Sequence, residues 1–223
     1  MTSHSPDLTA RERPIVFGAP MVRAILDGRK TQTRRIVKPQ PPQPFPGGVG
    51  PTWEYWPDRE VFVPMGTLVD FTAEMRGGIR CPYGQPGDRL IVRERWATDP
   101  CYDHFKPSAL KTSWPILYES GDGRCFTRGF HRVRSPIHMP RWASRLTLEV
   151  TGVLVERVQE ISEADAVAEG TAPINIRVDA IDFPYRAGYA ALWDSINGKG
   201  SWASNPWVWA LEFRRITRLE AGA

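Results

Sequence analysis

The sequence predicts an α+β fold built around a small β-barrel. Three observations carry this: several short segments alternate apolar and polar residues at a period of two, helical periodicity is confined to a few brief stretches, and strands and helices lack the regular alternation of a doubly wound parallel sheet. The 223 residues suffice for one well-filled core with generous loops. We read a flexible tail over residues 1–13 and a single domain over 14–223, with two loop-rich insertions at about 39–80 and 97–135.

The elements follow in order. Ile15 and Phe17 alternate as in a short strand, then Met21, Val22, Ile25 and Leu26 recur at helical spacing until Gly28 stops the helix. Residues 39–57 hold seven prolines and read as an extended surface loop, in which Trp53 and Trp56 would suit a partner surface. "VFVPMGTLVDFTAE" suggests a hairpin beside it. Pro86-Gly87-Asp88 then turns the chain into a strand in which Leu90 and Val92 face the core and Arg89, Ile91 and Arg93 face away.

Residues 97–135 are irregular, with "PILYES" and "RCFTRGF" as candidate strands. "SRLTLEVTGVLVERV" is the strongest strand signal in the chain, interrupted at Gly152 as at a bulge or barrel corner, with Glu156 as a carboxylate whose neutralisation should cost little. "ISEADAVAEG" is a helix: Ser162 caps it, Glu163 and Asp165 suit its positive end, and Gly170 ends it. A second helix places Tyr185, Tyr189, Leu192, Trp193 and Ile196 on one stripe and stops at Asn197-Gly198. The closing "PWVWALEFRRI" has Trp207, Trp209, Leu211 and Phe213 on a single apolar face.

Charge is more informative by position than in total. The formal balance is only +4, yet from Arg23 to Lys38 six basic residues meet the single acid Asp27, and from Arg124 to Arg145 six arginines meet none. Concentrated cations point to an anionic partner, nucleic acid first. No apolar run is long enough for a membrane span, and the first residues lack the apolar core of a signal peptide. Three cysteines without CxxC spacing suggest neither a disulfide framework nor a zinc knuckle, so a cytoplasmic protein without cofactor is expected. A zinc site from Cys81, Cys101, Cys125 and His104 or His131 would need scattered ligands.

The unusual segment is "GRKTQTRR", residues 28–35, where two threonines stand between basic pairs just after a helix stop. Together with "PGDRLIVRERW", "IHMPRWASR", "ISEADAVAEG" and the closing aromatic strand, it resembles the ASCH domain, a PUA-like β-barrel family linked to RNA metabolism, and within it the larger, prophage-type members. The resemblance covers about two-thirds of the chain. A small branch of that family is similar to an amidohydrolase acting on N4-acetylcytidine; its catalytic lysine, threonine and glutamate map onto Lys30, Thr33 and Glu169.

The chemistry of that trio is coherent. A threonine hydroxyl attacks only after a base takes its proton, a buried lysine can be that base, and a carboxylate can orient it or shuttle the proton. The plain alternatives are a solvated lysine, a strand threonine and a surface acid near a helix end. Around the trio, Arg29, Arg34, Arg35, Arg93 and Arg145 are expected to form a basic rim, and Trp96 and Trp142 a stacking platform, for RNA, single-stranded nucleic acid or a modified nucleoside. Three functions stay open at this point: a base-accepting binder that also hydrolyses an N4-acylated cytidine, a ribonuclease on single-stranded RNA, and a non-catalytic phage assembly or host-interaction protein.

Overall fold

The computed structural model describes residues 10–40, 52–65, 78–121, 132–174 and 183–216. It is a mixed α+β fold with more strand than helix. The strands are β1 (Glu12–Val16), β2 (Gln32–Ile36), β3 (Thr52–Trp56), β4 (Val61–Met65), β5 (Arg89–Arg93), β6 (Trp96–Thr98), β7 (Ile116–Tyr118), β8 (Thr147–Arg157) and β9 (Trp207–Ile216). The helices are α1 (Ala19–Leu26), α2 (Glu163–Ala168) and α3 (Pro184–Asn197). One sheet has the order β1-β5-β8-β9-β2, and β3-β4 and β6-β7 form two-stranded sheets.

The chain divides into two compact units, one of residues 1–29, 86–150 and 213–223, the other of residues 30–85 and 151–212. In the first, β1 runs parallel to β5, with Ile15 opposite Val92, and β5 runs antiparallel to β8, with Leu90 opposite Leu148. Leu90, Ile91 and Val92 are all buried. The sequence reading put Ile91 on the outer face; its burial at 5% exposure, beside Leu90 and Val92, means that both faces of β5 are covered by packing. Residues Glu12 and Arg13, read as tail, belong to β1, and Arg141 pairs with Glu12. A satellite core gathers Trp96, Leu110, Met139 and Ala143 under Tyr102, Phe105, Trp114 and Trp142.

In the second unit, β2 pairs antiparallel with β9, Thr33 lying opposite Leu211 and Arg34 opposite Ala210. The apolar cluster of this unit consists of Val158, Ile161, Ala166, Tyr189, Trp193 and Val208. β9 is therefore buried on both faces from Trp207 to Leu211, not on one as the alternation suggested. On α3 the stripe holds at Tyr189 and Trp193, while Ile196 at the last turn is exposed. The proline-rich stretch is also not loop throughout. Thr52–Trp56 forms β3, which pairs with β4, and Trp53 meets Trp207 edge-on at 5.8 Å. β4 covers the first five residues of "VFVPMGTLVDFTAE" and pairs with β3; residues 66–77, and "RCFTRGF", lie outside the described residues.

Two glycines serve close approach. β8 continues through Gly152 without interruption, and a Cβ there would come within 2.8 Å of the Glu212 carboxylate, so the residue makes room for a side chain. At Gly188 a Cβ would stand 2.3 Å from the backbone oxygen of Ala172. That contact sets α3 tightly against the segment after α2. Gly188→Ala is expected to lower stability by about 1–3 kcal/mol, because backbone must move, whereas Gly152→Ala needs only a carboxylate to swing and should cost about 0.5 kcal/mol or less. Denaturant midpoints of the two variants check this; equal midpoints would contradict the packing at Gly188.

Candidate functional site

Lys30 and Glu169 each follow the end of a helix, and the two helices end in the same way. After α1 the chain turns left-handed at Gly28 (φ +74°), with Gly28 N–H donating to Ile25 O and Arg29 N–H to Ala24 O. After α2 it turns left-handed at Gly170 (φ +74°), with Gly170 N–H donating to Val167 O and Thr171 N–H to Ala166 O. Both are Schellman turns, in which glycine takes the left-handed position at no steric cost. Glu169 is the C-cap residue of α2, and Lys30 is the first residue beyond the turn that closes α1.

Lys30 and Glu169 then form a single antiparallel bridge, and Thr31 N–H donates to Ala168 O at 2.8 Å. The Lys30 ammonium donates to Glu169 Oε2 at 2.5 Å, to the Glu169 backbone oxygen at 2.9 Å and to the Gln32 backbone oxygen at 2.7 Å. One amine thus neutralises the carboxylate and also satisfies a carbonyl left open at the helix end. This resolves an oddity of the sequence, an acid in the final turn of a helix where the dipole is negative. Both side chains are buried, 1% and 4% exposed.

The second carboxylate oxygen, Oε1, faces two donors, the Arg34 guanidinium at 3.5 Å and the Tyr189 hydroxyl at 3.4 Å. Arg34 itself is 2% exposed; its Nε donates to Glu156 at 2.7 Å, and its other nitrogens reach Gln32 at 3.2 Å and Asp165 at 3.5 Å. Burial holds the Lys30 amine below its ordinary value against the attraction of Glu169, and the nearby charges of Arg35 and Arg34 push it the same way. Burial, and then the Glu169 charge, keep the Tyr189 phenol well above its ordinary value, so it stays a neutral donor. Burial likewise raises Glu156, against the pull of Arg34.

The residues named from the sequence fall into three groups. Lys30 and Glu169 meet directly; Thr33 is buried on β2, where strand alternation sets it on the face opposite Gln32 and Arg34. Arg34, expected on a basic rim, is instead enclosed by carboxylates, since a guanidinium out of water needs acids around it. Arg35 is half-buried and donates to the Arg34 backbone oxygen at 3.5 Å.

The other residues lie in the first unit. Arg29 is exposed and paired with Asp27 at 2.9 Å. Arg93 donates to Ile137 O at 3.0 Å. Arg145 lies over the Tyr118 ring and pairs with buried Glu94, to which Ser120 also donates. Trp96 is fully buried with Arg134 over its ring and cannot offer a face to a base, so it is corrected to core; Trp142 is partly buried and packs against the same cluster. A large ring beside arginines marked the interior here, where cations lie over rings.

Sequence reasoning missed Tyr189, Glu156, Asp165 and Gln32 as members of the site. Tyr189 was seen only as part of an apolar stripe, and Glu156 as dispensable. The available signal was the register: Gln32 and Arg34 alternate with Thr33, so a strand sends one buried cation to a face that must supply acids. Among the described residues no group of three or more His, Cys, Asp or Glu is placed to hold a metal ion; Cys125 and His131 lie outside them. No helix among the described residues is long and apolar enough to cross a membrane. Comparison with protein-family models, with curated proteins and with solved structures returns no match.

The depressed Lys30 amine has a stability consequence of definite sign. Between its lowered midpoint and the ordinary 10.5, the folded chain carries fewer protons than the unfolded one, so stability due to Lys30 rises with pH there and is flat below that window. Relative to Lys30→Met, wild type should therefore gain stability as pH climbs toward 10.5, measured by urea unfolding across pH. A gap that shrinks over the same range would contradict the burial of this amine.

Proposed function

We propose that this chain is an ASCH-type, PUA-like barrel protein that accepts a modified cytidine and hydrolyses its N4-acyl amide. The observation that carries this reading is the buried Lys30–Glu169 contact at 2.5 Å, with Thr33 buried three residues along the same segment. Burial holds the Lys30 amine below its ordinary value, so it gives up its proton more readily than a solvated lysine. The amine is then a base.

The steps follow from that base. Lys30 takes the Thr33 hydroxyl proton as Oγ1 adds to the acyl carbonyl carbon. Collapse of the tetrahedral adduct breaks the bond from that carbon to N4, and the proton passes from Lys30 to N4, releasing cytidine. Water then adds to the threonyl ester, Lys30 carries its proton back to Thr33 Oγ1, and the carboxylic acid leaves. Glu169 holds the amine in place and buffers its charge throughout. The five-stranded sheet would be the barrel sheet of the family, and half-buried Arg35 on β2 the cation offered to a nucleotide phosphate.

The test is release of cytidine from N4-acetylcytidine by the purified chain, with labelled single-stranded RNA run in parallel. Deacylation is expected, and Thr33→Ala and Glu169→Gln should each cut kcat by about 100-fold or more while circular dichroism stays unchanged. No cytidine released overturns the hydrolase reading. Cut RNA would replace it with a ribonuclease, and retained but intact RNA with a binder.

A further inference from the structure

The Glu169 carboxylate is held from both sides, and the two donors on its Oε1 come from different elements. Arg34 reaches it from β2 and Tyr189 from α3, while Lys30 occupies Oε2. We infer that Arg34 and Tyr189 are positioning residues of this site: they orient Glu169 toward Lys30, and the Arg34 charge sets how tightly the buried cluster holds its protons. The inference rests on the proton-handling role proposed for Lys30 and Glu169, and it gives Arg34 a task other than contact with phosphate.

Charge counting supports it. Lys30 and Arg34 face three carboxylates, Glu156 from β8 and Asp165 and Glu169 from α2; Arg35 on β2 adds a further cation within electrostatic reach, and Glu160 a further acid beside Glu156. Arg34 is the member that touches all three acids. Its guanidinium does not lose its proton, so its charge is a constant against which the others titrate. Without that cation every remaining group in the cluster holds a proton more tightly, Lys30 included, because a like charge has left and three acids have lost their partner. Tyr189 contributes a neutral hydroxyl, and its ring packs in the cluster with Trp193 and Val208, so removing the hydroxyl alone leaves the packing in place.

The readout is the titration of the Lys30 side chain by carbon and nitrogen NMR, assigned by the signal lost in Lys30→Met. Arg34→Gln should raise the Lys30 midpoint by about one pH unit, and Tyr189→Phe should raise it by roughly a few tenths. Arg34→Lys, which keeps the charge, should restore most of the wild-type midpoint. Glu156→Gln removes a negative charge and should move the midpoint the other way, down by roughly a few tenths. It provides the test if Arg34→Gln fails to fold. Unmoved midpoints in Arg34→Gln, or in Tyr189→Phe and Glu156→Gln together, overturn the inference.

The outcome is separable from that of the hydrolase reading. Shifted midpoints in a chain that releases no cytidine leave the positioning roles standing and remove the substrate. Turnover with unmoved midpoints does the reverse. Where turnover is seen, Arg34→Gln should lower kcat and leave KM unchanged, since neither Arg34 nor Tyr189 needs to touch the substrate.

Discussion

A carboxylate at the negative end of a helix, removed from water, is unstable unless a cation is delivered to it, and the second unit of this chain is organised around that delivery. Glu169 caps α2, and Lys30 arrives from the other side of a glycine turn to meet its carboxylate and its backbone oxygen at once. Glycine at 28 and at 170 makes both turns tight enough for a one-residue bridge. The strand β2 then starts from a fixed point, which places Thr33 and Arg34 inside.

The electrostatics of this arrangement differ from those of a surface ion pair. Exposed pairs such as Arg29 with Asp27 contribute little, being screened and mobile. The buried cluster incurs a desolvation cost of several kcal/mol per ion and recovers it through geometry, each oxygen of Glu169 having its own donors. An apolar replacement of similar volume would hold β2 against α2 as well. On the proposed reading, two buried cations and a neutral phenol around one acid serve to control a proton.

What the sequence revealed here depended on local rules. The helix ends were legible because Ser162, Gly28 and Gly170 are local signals; the Lys30–Glu169 meeting was implied by the family resemblance, and the acid in the last turn of a helix only agreed with it. Long-range facts were not legible. Whether Arg34 faces solvent depends on β9 lying beside β2 and on Glu156 being delivered by β8, and neither is written near residue 34. Trp96 failed for the same reason. Its arginine neighbours resemble a nucleic-acid edge in sequence, but the ring is enclosed by Leu110, Met139 and Ala143, all remote in the chain. The alternation in β5 and β9 misled because consecutive residues of both strands are buried, so other parts of the chain pack on both faces, and a period of two read along one strand cannot express that.

The central claim is that Lys30 and Glu169 act as one buried unit, and a double-mutant cycle measures it directly. Unfolding free energies of wild type, Lys30→Met, Glu169→Leu and the double variant give the coupling between the two side chains. Each single change leaves a buried charge without its partner and should cost about 3–5 kcal/mol, while the double variant should cost less than either, so that the coupling exceeds about 2 kcal/mol. Additive losses, with a coupling below about 0.5 kcal/mol, would mean that the two side chains do not share a site.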